Sequence, residues 1–573
     1  MVRTFFKPFI ALIIITVTLT FVQVIADLSL PNYMAHIINE GITKHDIPLI
    51  LRMGGIMLLI ALGGITCAIS AGFLASRIAL GVGKNIRNAI FAKVIHFSLP
   101  DFNQIGTSSL ITRTTNDVMQ IQNVTFMMLR MLLRSPLMCI GAIIMAINKD
   151  KGLSVLLLSI LPVLILIILL VNKKALPLFR SIQKKIDKIN LVLRENLVGI
   201  RIIRAFSRVG FEKRRFAEAN SDLAMTATRV GRLMAVLDPI MIISMNGLSI
   251  AAIWLASFRI DAGSLEIGDM LAFIQYATQI LMSLMMATMI FIMLPRAFVS
   301  AERIGQVLST ESEIADPEEP QTVSGRKTRL TFRQVVFRYE HAENPAVNNV
   351  SFTAQSGETI AVIGGTGSGK SALVNLILRY YDAESGEIML DGVDIRSLTQ
   401  EELRSHIGYV PQSAVLFSGT IESNIRMGKP DATDDEIRHA CEIAQASSFI
   451  GQMPDGYQSD VSQGGTNLSG GQKQRLSIAR ALVGKKEIYI FDDSFSALDF
   501  KTDAQLRDAL KDETKDAIVI IVAQRVSSIL NADRILVMDN GSITAAGSHA
   551  ELLKTSPLYR EIVLSQVSEE EIN

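Results

Sequence analysis

A chain of 573 residues is longer than one hydrophobic core supports, so two or three domains are expected. With 49% hydrophobic and 19% charged residues and a mean hydropathy of +0.35, the composition excludes an ordinary soluble enzyme and calls for membrane spans. A formal net charge of +1 gives no basis for nucleic-acid binding, and Cys67, Cys139 and Cys441 lack metal-like spacing and read as packing residues.

In chain order, six stretches are long and apolar enough to cross a ~30 Å hydrocarbon core: 9–30, 53–76, 132–147, 153–171, 234–256 and 270–294. The first follows Arg3 and Lys7 and ends in Val24, Ile25 and Ala26, as a secretory leader would, but its length reads as a retained signal-anchor. The third is short and is cut into by Arg130 and Arg134, so its helix should reach beyond the bilayer. Lys and Arg crowd the stretch 172–232, among them Lys184, Lys185, Arg214 and Arg215, whereas the loops 148–152 and 257–268 carry few. The long basic stretches are therefore expected in the cytoplasm, with the N-terminus on the same side. Two of them, 77–130 and 172–232, have helical periodicity and few breakers, and helices there would extend the spans some tens of ångströms past the membrane. Met282, Met285, Met286, Met289 and Met293 fall on one helical stripe, which is either ordinary packing or a pliable wall for ligands. Asp27, Asp238 and Arg296 lie in or at the ends of spans, where ionisable groups face a cavity or a partner, or reach the interface.

Apolar runs stop near Val299. Residues 309–328 are polar, acidic and then basic, with two prolines, and read as a linker between a membrane domain, 1–308, and a soluble α/β domain, 329–573. In the latter, Gly364, Gly365, Thr366, Gly367, Ser368, Gly369, Lys370 and Ser371 fit G-x4-G-K-S, between an apolar strand at 359–363 and a helix at 372–379. That is the context of a phosphate-binding P-loop. Its glycines let backbone N–H groups approach phosphates, Lys370 reaches the β and γ phosphates, and Ser371 ligates Mg²⁺. Leu468, Ser469, Gly470, Gly471 and Gln472 then open a helix on small residues, leaving N–H groups free for a phosphate. A buried strand at 487–491 delivers Asp492 and Asp493 at its C-terminal end, where open α/β sheets bind ligands.

The P-loop, the LSGGQ string, the paired acids and Ser496, Ala497, Leu498 and Asp499 behind them closely resemble the nucleotide-binding domain of ATP-binding cassette (ABC) transporters. With the spans in front, the whole chain resembles ABC exporters of the multidrug and lipid A flippase type. The fold so implied is an α-helical membrane domain of six transmembrane helices with long cytoplasmic extensions, fused to an α/β P-loop ATPase. ATP and Mg²⁺ are the implied cofactors. The resemblance further implies that Tyr339, ending a strand-like 334–339, stacks on adenine, that Gln412 touches Mg²⁺ and senses the membrane half, and that Asp492 holds Mg²⁺. Turns near 101–115 and 206–216 would be coupling helices that dock on the ATPase domains.

Three positions depart from that family's pattern. Hydrolytic members carry a glutamate where this chain has Asp493, whose carboxylate is withdrawn by about one C–C bond. Their switch histidine is here Gln524, after a strand at 517–522; glutamine still hydrogen-bonds a phosphate but does not titrate near neutral pH. Gln463 replaces a glutamate before the signature string. In that family, ATP lies between one chain's P-loop and the other chain's signature. An intact P-loop and signature beside an altered Asp493 and Gln524 therefore resemble the degenerate-site subunit of bacterial heterodimeric multidrug exporters. The implied partner is a second half-transporter with intact glutamate and histidine, whose competent site this chain's LSGGQ completes. The implied cargo is hydrophobic or amphipathic, moved outward across the cytoplasmic membrane. A slow homodimeric exporter or lipid flippase, and an ATP-gated protein that does not pump, remain as alternatives.

Overall fold

The computed structural model describes residues 2–323 and 328–566. It divides into two compact units, Met1–Ile95 with Ile105–Thr310, and His96–Gln104 with Glu311–Asn573.

The first unit is built of long helices. Five helical stretches among the described residues, Arg3–Ile42, Ile47–Ile95, Thr107–Lys149, Lys151–Val198 and Val209–Asp261, are long and apolar enough to cross a membrane. They contain the first five predicted spans. The sixth, 270–294, falls on the helix Ile267–Ser309, where the side chains of 287–293 and 295 lie outside the described residues. Within Ile47–Ile95, Ala71, Ala75, Ile78, Val82, Ile86 and Ile90 form a buried stripe at helical spacing, while Leu58, Leu59, Ile69 and Phe73 stay exposed, as lipid-facing residues do. Lys151–Val198 has 48 residues, about 70 Å at ~1.5 Å per residue, so it far exceeds the bilayer. Asp150 starts it by accepting from Leu153 N–H at 2.7 Å and pairs with Arg259 at 2.6 Å.

Of the arginines that interrupt the third predicted span, Arg130 lies in a wide π turn, Met128–Leu132, Arg134 opens the helix Arg134–Lys149, and both have specific partners. Arg130 donates to the Ala68 carbonyl at 2.8 Å, over Gly72, where a Cβ would stand 2.5 Å from the guanidinium. Arg134 pairs with Asp27.

The second unit is α/β. Its six-stranded sheet runs Ser542–Gly547, Arg534–Asp539, Thr359–Gly364, Ile518–Val522, Ile488–Asp492, Ile407–Val410, and only the first pair is antiparallel. Ile488–Asp492 is buried along its whole length, as a central parallel strand must be. A four-stranded antiparallel sheet, Val347–Gln355, Arg329–Phe337, Ser385–Leu390, Val393–Asp394, shares one core with the helix Lys370–Ile377; Phe332 stacks on Phe352 with centroids 4.6 Å apart. A second core joins Ile421, Ile437 and Phe449 to Leu476 and Ile478 of the helix Gly470–Leu482 and to Phe491.

Several boundaries differ from the sequence reading for backbone reasons. The helix expected at 372–379 starts at Lys370 and ends at Ile377, and Arg379 beyond it takes a positive φ of 48°. The strand expected to end at Tyr339 ends at Phe337 and is bulged at Gln334, whose φ is 49°. The segment read as a linker is fastened to this unit over its first part: Ile314 is buried, Gln400 N–H donates to Asp316 at 2.9 Å, and Arg379 donates to the Ala315 carbonyl at 3.3 Å. The stretch His96–Gln104 also belongs to this unit. There Ser98 N–H donates to Ser312 Oγ at 3.1 Å, Glu313 N–H donates to Asp101, and Asn103 hydrogen-bonds Tyr381.

Candidate functional site

The P-loop geometry follows from crowding behind it and open space in front. A Cβ on Gly364 would come within 2.2 Å of the Met538 carbonyl, and one on Gly369, with φ +103°, within 2.3 Å of the Ala346 carbonyl. Neighbouring backbone thus forces glycine at both ends of the loop. Gly365, Thr366 and Gly367 between them are exposed, while Ser368 is buried. Lys370 is only 9% exposed, and its ammonium donates to the Gly364 and Gly365 carbonyls, both at 2.8 Å, so it lies along the cradle. Burial lowers its pKa, against the opposing pull of Asp493 and Asp492. Ser371 is exposed at the second position of the helix.

Two strands bring the acids to this loop. Asp492 ends Ile488–Asp492 and is paired in register with Val522 of Ile518–Val522, which in turn lies beside Thr359–Gly364. Asp492 is 8% exposed; burial raises its carboxyl pKa, Asp493 adds to this, and Lys370 opposes it. Asp493 adopts a left-handed φ of 46°, donates its N–H to the Val522 carbonyl at 2.8 Å, and accepts from Gln412 Nε2 at 3.3 Å. Gln412, Asp493, Asp492 and Lys370 therefore converge. Gln524 stands two residues past Val522 with an exposed side chain, its carbonyl accepting from Gln566 at 2.8 Å.

The donor set suits Mg²⁺. One buried carboxylate, the Ser371 hydroxyl and the Gln412 amide offer an incomplete oxygen shell, and Mg²⁺ characteristically completes its octahedron with water and phosphate oxygens. Among the described residues, no three His, Cys, Asp or Glu side chains form a full metal cage. A cation beside Asp492 would relieve the charge that burial and Asp493 penalise.

The signature string is placed elsewhere. Ser469 caps the helix Gly470–Leu482 in a capping box, with Gln472 N–H donating to Ser469 Oγ at 3.3 Å and Ser469 N–H donating to Gln472 Oε1 at 2.8 Å. A Cβ on Gly470 would meet nothing within 4 Å, and one on Gly471 would lie 3.3 Å from the Ala497 carbonyl, so the string is open on the Gly470 side. Among the described residues, no hydrogen bond joins Ser469, Gly470, Gly471 or Gln472 to the P-loop. Gln463 lies in the turn Gln463–Gly465 ahead of it.

Tyr339 is half-buried in an aromatic trio, edge-on to Phe337 at 4.8 Å and to Tyr381 at 5.3 Å. Two participants escaped the sequence reading. Tyr381 supports Tyr339 and bonds Asn103, and the Tyr380-Tyr381 pair was its only local sign. Gln474, buried in a largely apolar helix face, donates to the Pro411 carbonyl at 3.4 Å and so ties the signature helix to the residue before Gln412. In the membrane half, Asp27, Arg134, Met282 and Met286 line a cavity of 510 Å³. Met285 is half-exposed and outside that lining, Asp238 and Arg296 are exposed, and the side chains of Met289 and Met293 lie outside the described residues.

Comparison with known proteins accords with this geometry. Residues 12–284 match the family described as ABC transporter transmembrane region, and residues 347–496 match that described as ABC transporter. An uncharacterized ABC transporter ATP-binding protein of Mycobacterium tuberculosis is 42% identical over 570 residues, covering 99% of this chain and 98% of the relative. The uncharacterized ABC transporter ATP-binding protein YfiB of Bacillus subtilis is 40% identical over 99% of this chain and 98% of its own length. A fatty acid ABC transporter ATP-binding/permease protein of Mycobacterium bovis is 32% identical over 83% of this chain and 75% of its own. Among solved structures, that of a bacterial Atm1-family ABC exporter with ATP bound matches with a TM-score of 0.80 at 24% identity, over 98% of this chain and 100% of that one.

Proposed function

The chain belongs to the ABC transporter family, carrying membrane region and ATPase in one polypeptide with the exporter fold, and from this we propose a half-exporter whose own P-loop site is hydrolytically weakened. It is a multi-pass protein of a bacterial cytoplasmic membrane with its ATPase half in the cytoplasm.

The P-loop N–H groups and Lys370 bind the phosphates of ATP, and Tyr339 stacks on the base. Ser371, Asp492 and Gln412 hold Mg²⁺, which when bound neutralises charge on the phosphate oxygens. Asp493 orients the attacking water, and Gln524 hydrogen-bonds the γ-phosphate. One observation carries the reading of a weakened site. An intact cradle stands beside an aspartate whose carboxylate, anchored at 3.3 Å from Gln412, lacks the reach of a glutamate.

The signature string, open at Gly470, serves the site of a partner half-transporter that retains the glutamate and histidine. An exposed apolar tip, with Ile202 and Phe206 at 65% and 74% exposure, supports docking on that partner, and His96–Gln104 supports coupling to this chain's own ATPase. ATP binding closes the paired ATPases, the coupling segments transmit the closure, and the cavity turns outward. The fatty-acid relative favours a hydrophobic or amphipathic cargo. The hydrogen bond that Asp493 keeps with Gln412 also supports a second reading, a homodimer with slow turnover.

ATP turnover of the purified chain in lipid, alone and with the half-transporter encoded beside it, tests this. Turnover that appears only in the pair and vanishes when the partner's glutamate is neutralised is expected. Robust turnover by this chain alone, abolished by Lys370→Ala, would replace the heterodimer with the homodimer.

A further inference from the structure

The cavity of 510 Å³ in the membrane half combines two surfaces. Met34, Met57, Met138, Met282 and Met286 give it a flexible thioether wall that moulds to apolar chains of varied shape. Set into that wall is one ion pair, Arg134 Nη2 to Asp27 Oδ2 at 3.0 Å, with side chains 38% and 27% exposed.

The pair is underused. That single contact is the one hydrogen bond each side chain makes among the described residues. A guanidinium has five N–H donors and a carboxylate about four acceptor positions, so each group retains capacity for a further partner of opposite sign. Two more polar groups on the lining are unsatisfied: Ser135 Oγ and Gln279 Oε1 are buried without a hydrogen-bond partner among the described residues, and Ser135 is 4% exposed overall. Gln279 lies against the same turn as the acid, its Nε2 3.5 Å from the Asp27 carbonyl. The acidic end therefore offers oxygens, and the basic end offers a planar donor fork suited to a carboxylate or phosphate.

Charge balance selects among ligands. Among the described residues the lining is neutral as a whole, with one cation and one anion. A ligand that is only cationic and takes Asp27 leaves Arg134 uncompensated in a low-dielectric region, and a ligand that is only anionic does the same to Asp27. A ligand carrying both charges adds no net charge and meets both groups.

We propose that this cavity takes an amphipath with a zwitterionic head, its ammonium on Asp27 and the Gln279 and Ser135 oxygens, its phosphate or carboxylate on Arg134, and its chain along the methionines. As cargo, such a ligand rests on the export reading. Its binding does not require turnover, so the two fail separately.

The test measures equilibrium binding to the full-length transporter, without nucleotide, in dodecyl maltoside. The probes are lauroyl lysophosphatidylethanolamine, dodecyl phosphate, dodecylamine and glycerophosphoethanolamine. The zwitterionic lysolipid should bind saturably and roughly tenfold or more tighter than either singly charged amphipath, as two charge-assisted contacts against one imply. Asp27→Asn should shift preference to dodecyl phosphate, Arg134→Gln should shift it to dodecylamine, and the exchanged pair Asp27→Arg with Arg134→Asp should restore preference for the zwitterion. Equal affinity for the three amphipaths, preference for one sign, binding unchanged in both single variants, or equally tight binding of glycerophosphoethanolamine would each overturn the proposal. Should the single variants fail to fold, the probe series on the unaltered protein still decides.

Discussion

Asp493→Glu isolates the feature on which the proposed asymmetry turns. The Asp493 backbone is pinned by its N–H bond to Val522 at 2.8 Å, so side-chain length alone sets the reach of its carboxylate. One added methylene moves the acid outward by about 1.5 Å, and a misplacement of ~1 Å is worth about a hundredfold in rate. Turnover at this chain's P-loop site should therefore rise roughly 10- to 100-fold, with ATP affinity little changed because Lys370 and the cradle are untouched. The left-handed φ of 46° suits aspartate better than glutamate, so a small loss of melting temperature should accompany the gain. Adding Gln524→His should raise turnover again and introduce an acidic limb near the ordinary histidine pKa of about 6.5. The assay is phosphate release from the reconstituted transporter, with the partner's catalytic glutamate replaced by glutamine so that only this site is read. Unchanged or lower turnover in a folded variant that still binds ATP would refute the argument that carboxylate reach limits the site.

Lys370→Ala should abolish ATP binding at the P-loop and, with it, the rise in melting temperature that MgATP produces in the unaltered protein; chelating Mg²⁺ should remove much of the same rise. Ser469→Ala deletes a capping box, so the ATPase half should lose about 1 kcal/mol in a denaturant titration, while turnover at the partner's site falls and nucleotide affinity at this chain's own P-loop holds. His549, at the start of the helix His549–Thr555, is bonded through Nδ1 to buried Tyr559 Oη at 2.7 Å, and burial lowers its pKa below the ordinary 6.5. The folded state thus binds fewer protons there than the unfolded state. Its stability contribution should be intact above pH 6.5 and be lost as the pH falls from 6.5 through the lowered folded value, and His549→Gln should flatten that slope in melting curves.

What the sequence made legible is what short-range backbone rules dictate. Gly364, Gly367 and Gly369 are spaced for a phosphate loop, and the folded chain supplies the reason at two of them: the Met538 and Ala346 carbonyls leave no room for a Cβ. The buried strand before Asp492 was likewise visible as an apolar run, because a central parallel strand has no wet face to alternate with. Element ends were less legible, since Arg379 and Gln334 take positive φ values that their residue types do not advertise. Least legible were pairings across the chain. Arg134 reads as an interruption of a span because Asp27 lies 107 residues away, and nothing in the local sequence of either residue points to the other. The stretch after Ser309 has the composition of a free linker, yet its anchorage by Asp316 and Ala315 depends on Gln400 and Arg379 far along the chain.

The same distinction bears on why one chain is half a machine. Ser469 and Gln472 satisfy each other in a capping box, and Gln474 fastens their helix to Pro411 beside the glutamine that reaches Asp493. The signature helix is thus hydrogen-bonded to the residue before Gln412, while Ser469, Gly470, Gly471 and Gln472 make no hydrogen bond to the P-loop among the described residues. Side chains spent on capping leave mainly backbone N–H groups near Gly470 to meet a phosphate, and a Cβ at Gly470 would meet nothing within 4 Å. On the proposed reading, a nucleotide meeting that surface comes from a second ATPase. Any shift of Gln412 as this chain's own site fills would then be passed through Pro411 and Gln474 to the partner's site. A slow site at Asp493 would in this way hold the fast one in register, and Gln474→Leu should lower turnover at the partner's site while leaving ATP binding at Lys370 intact.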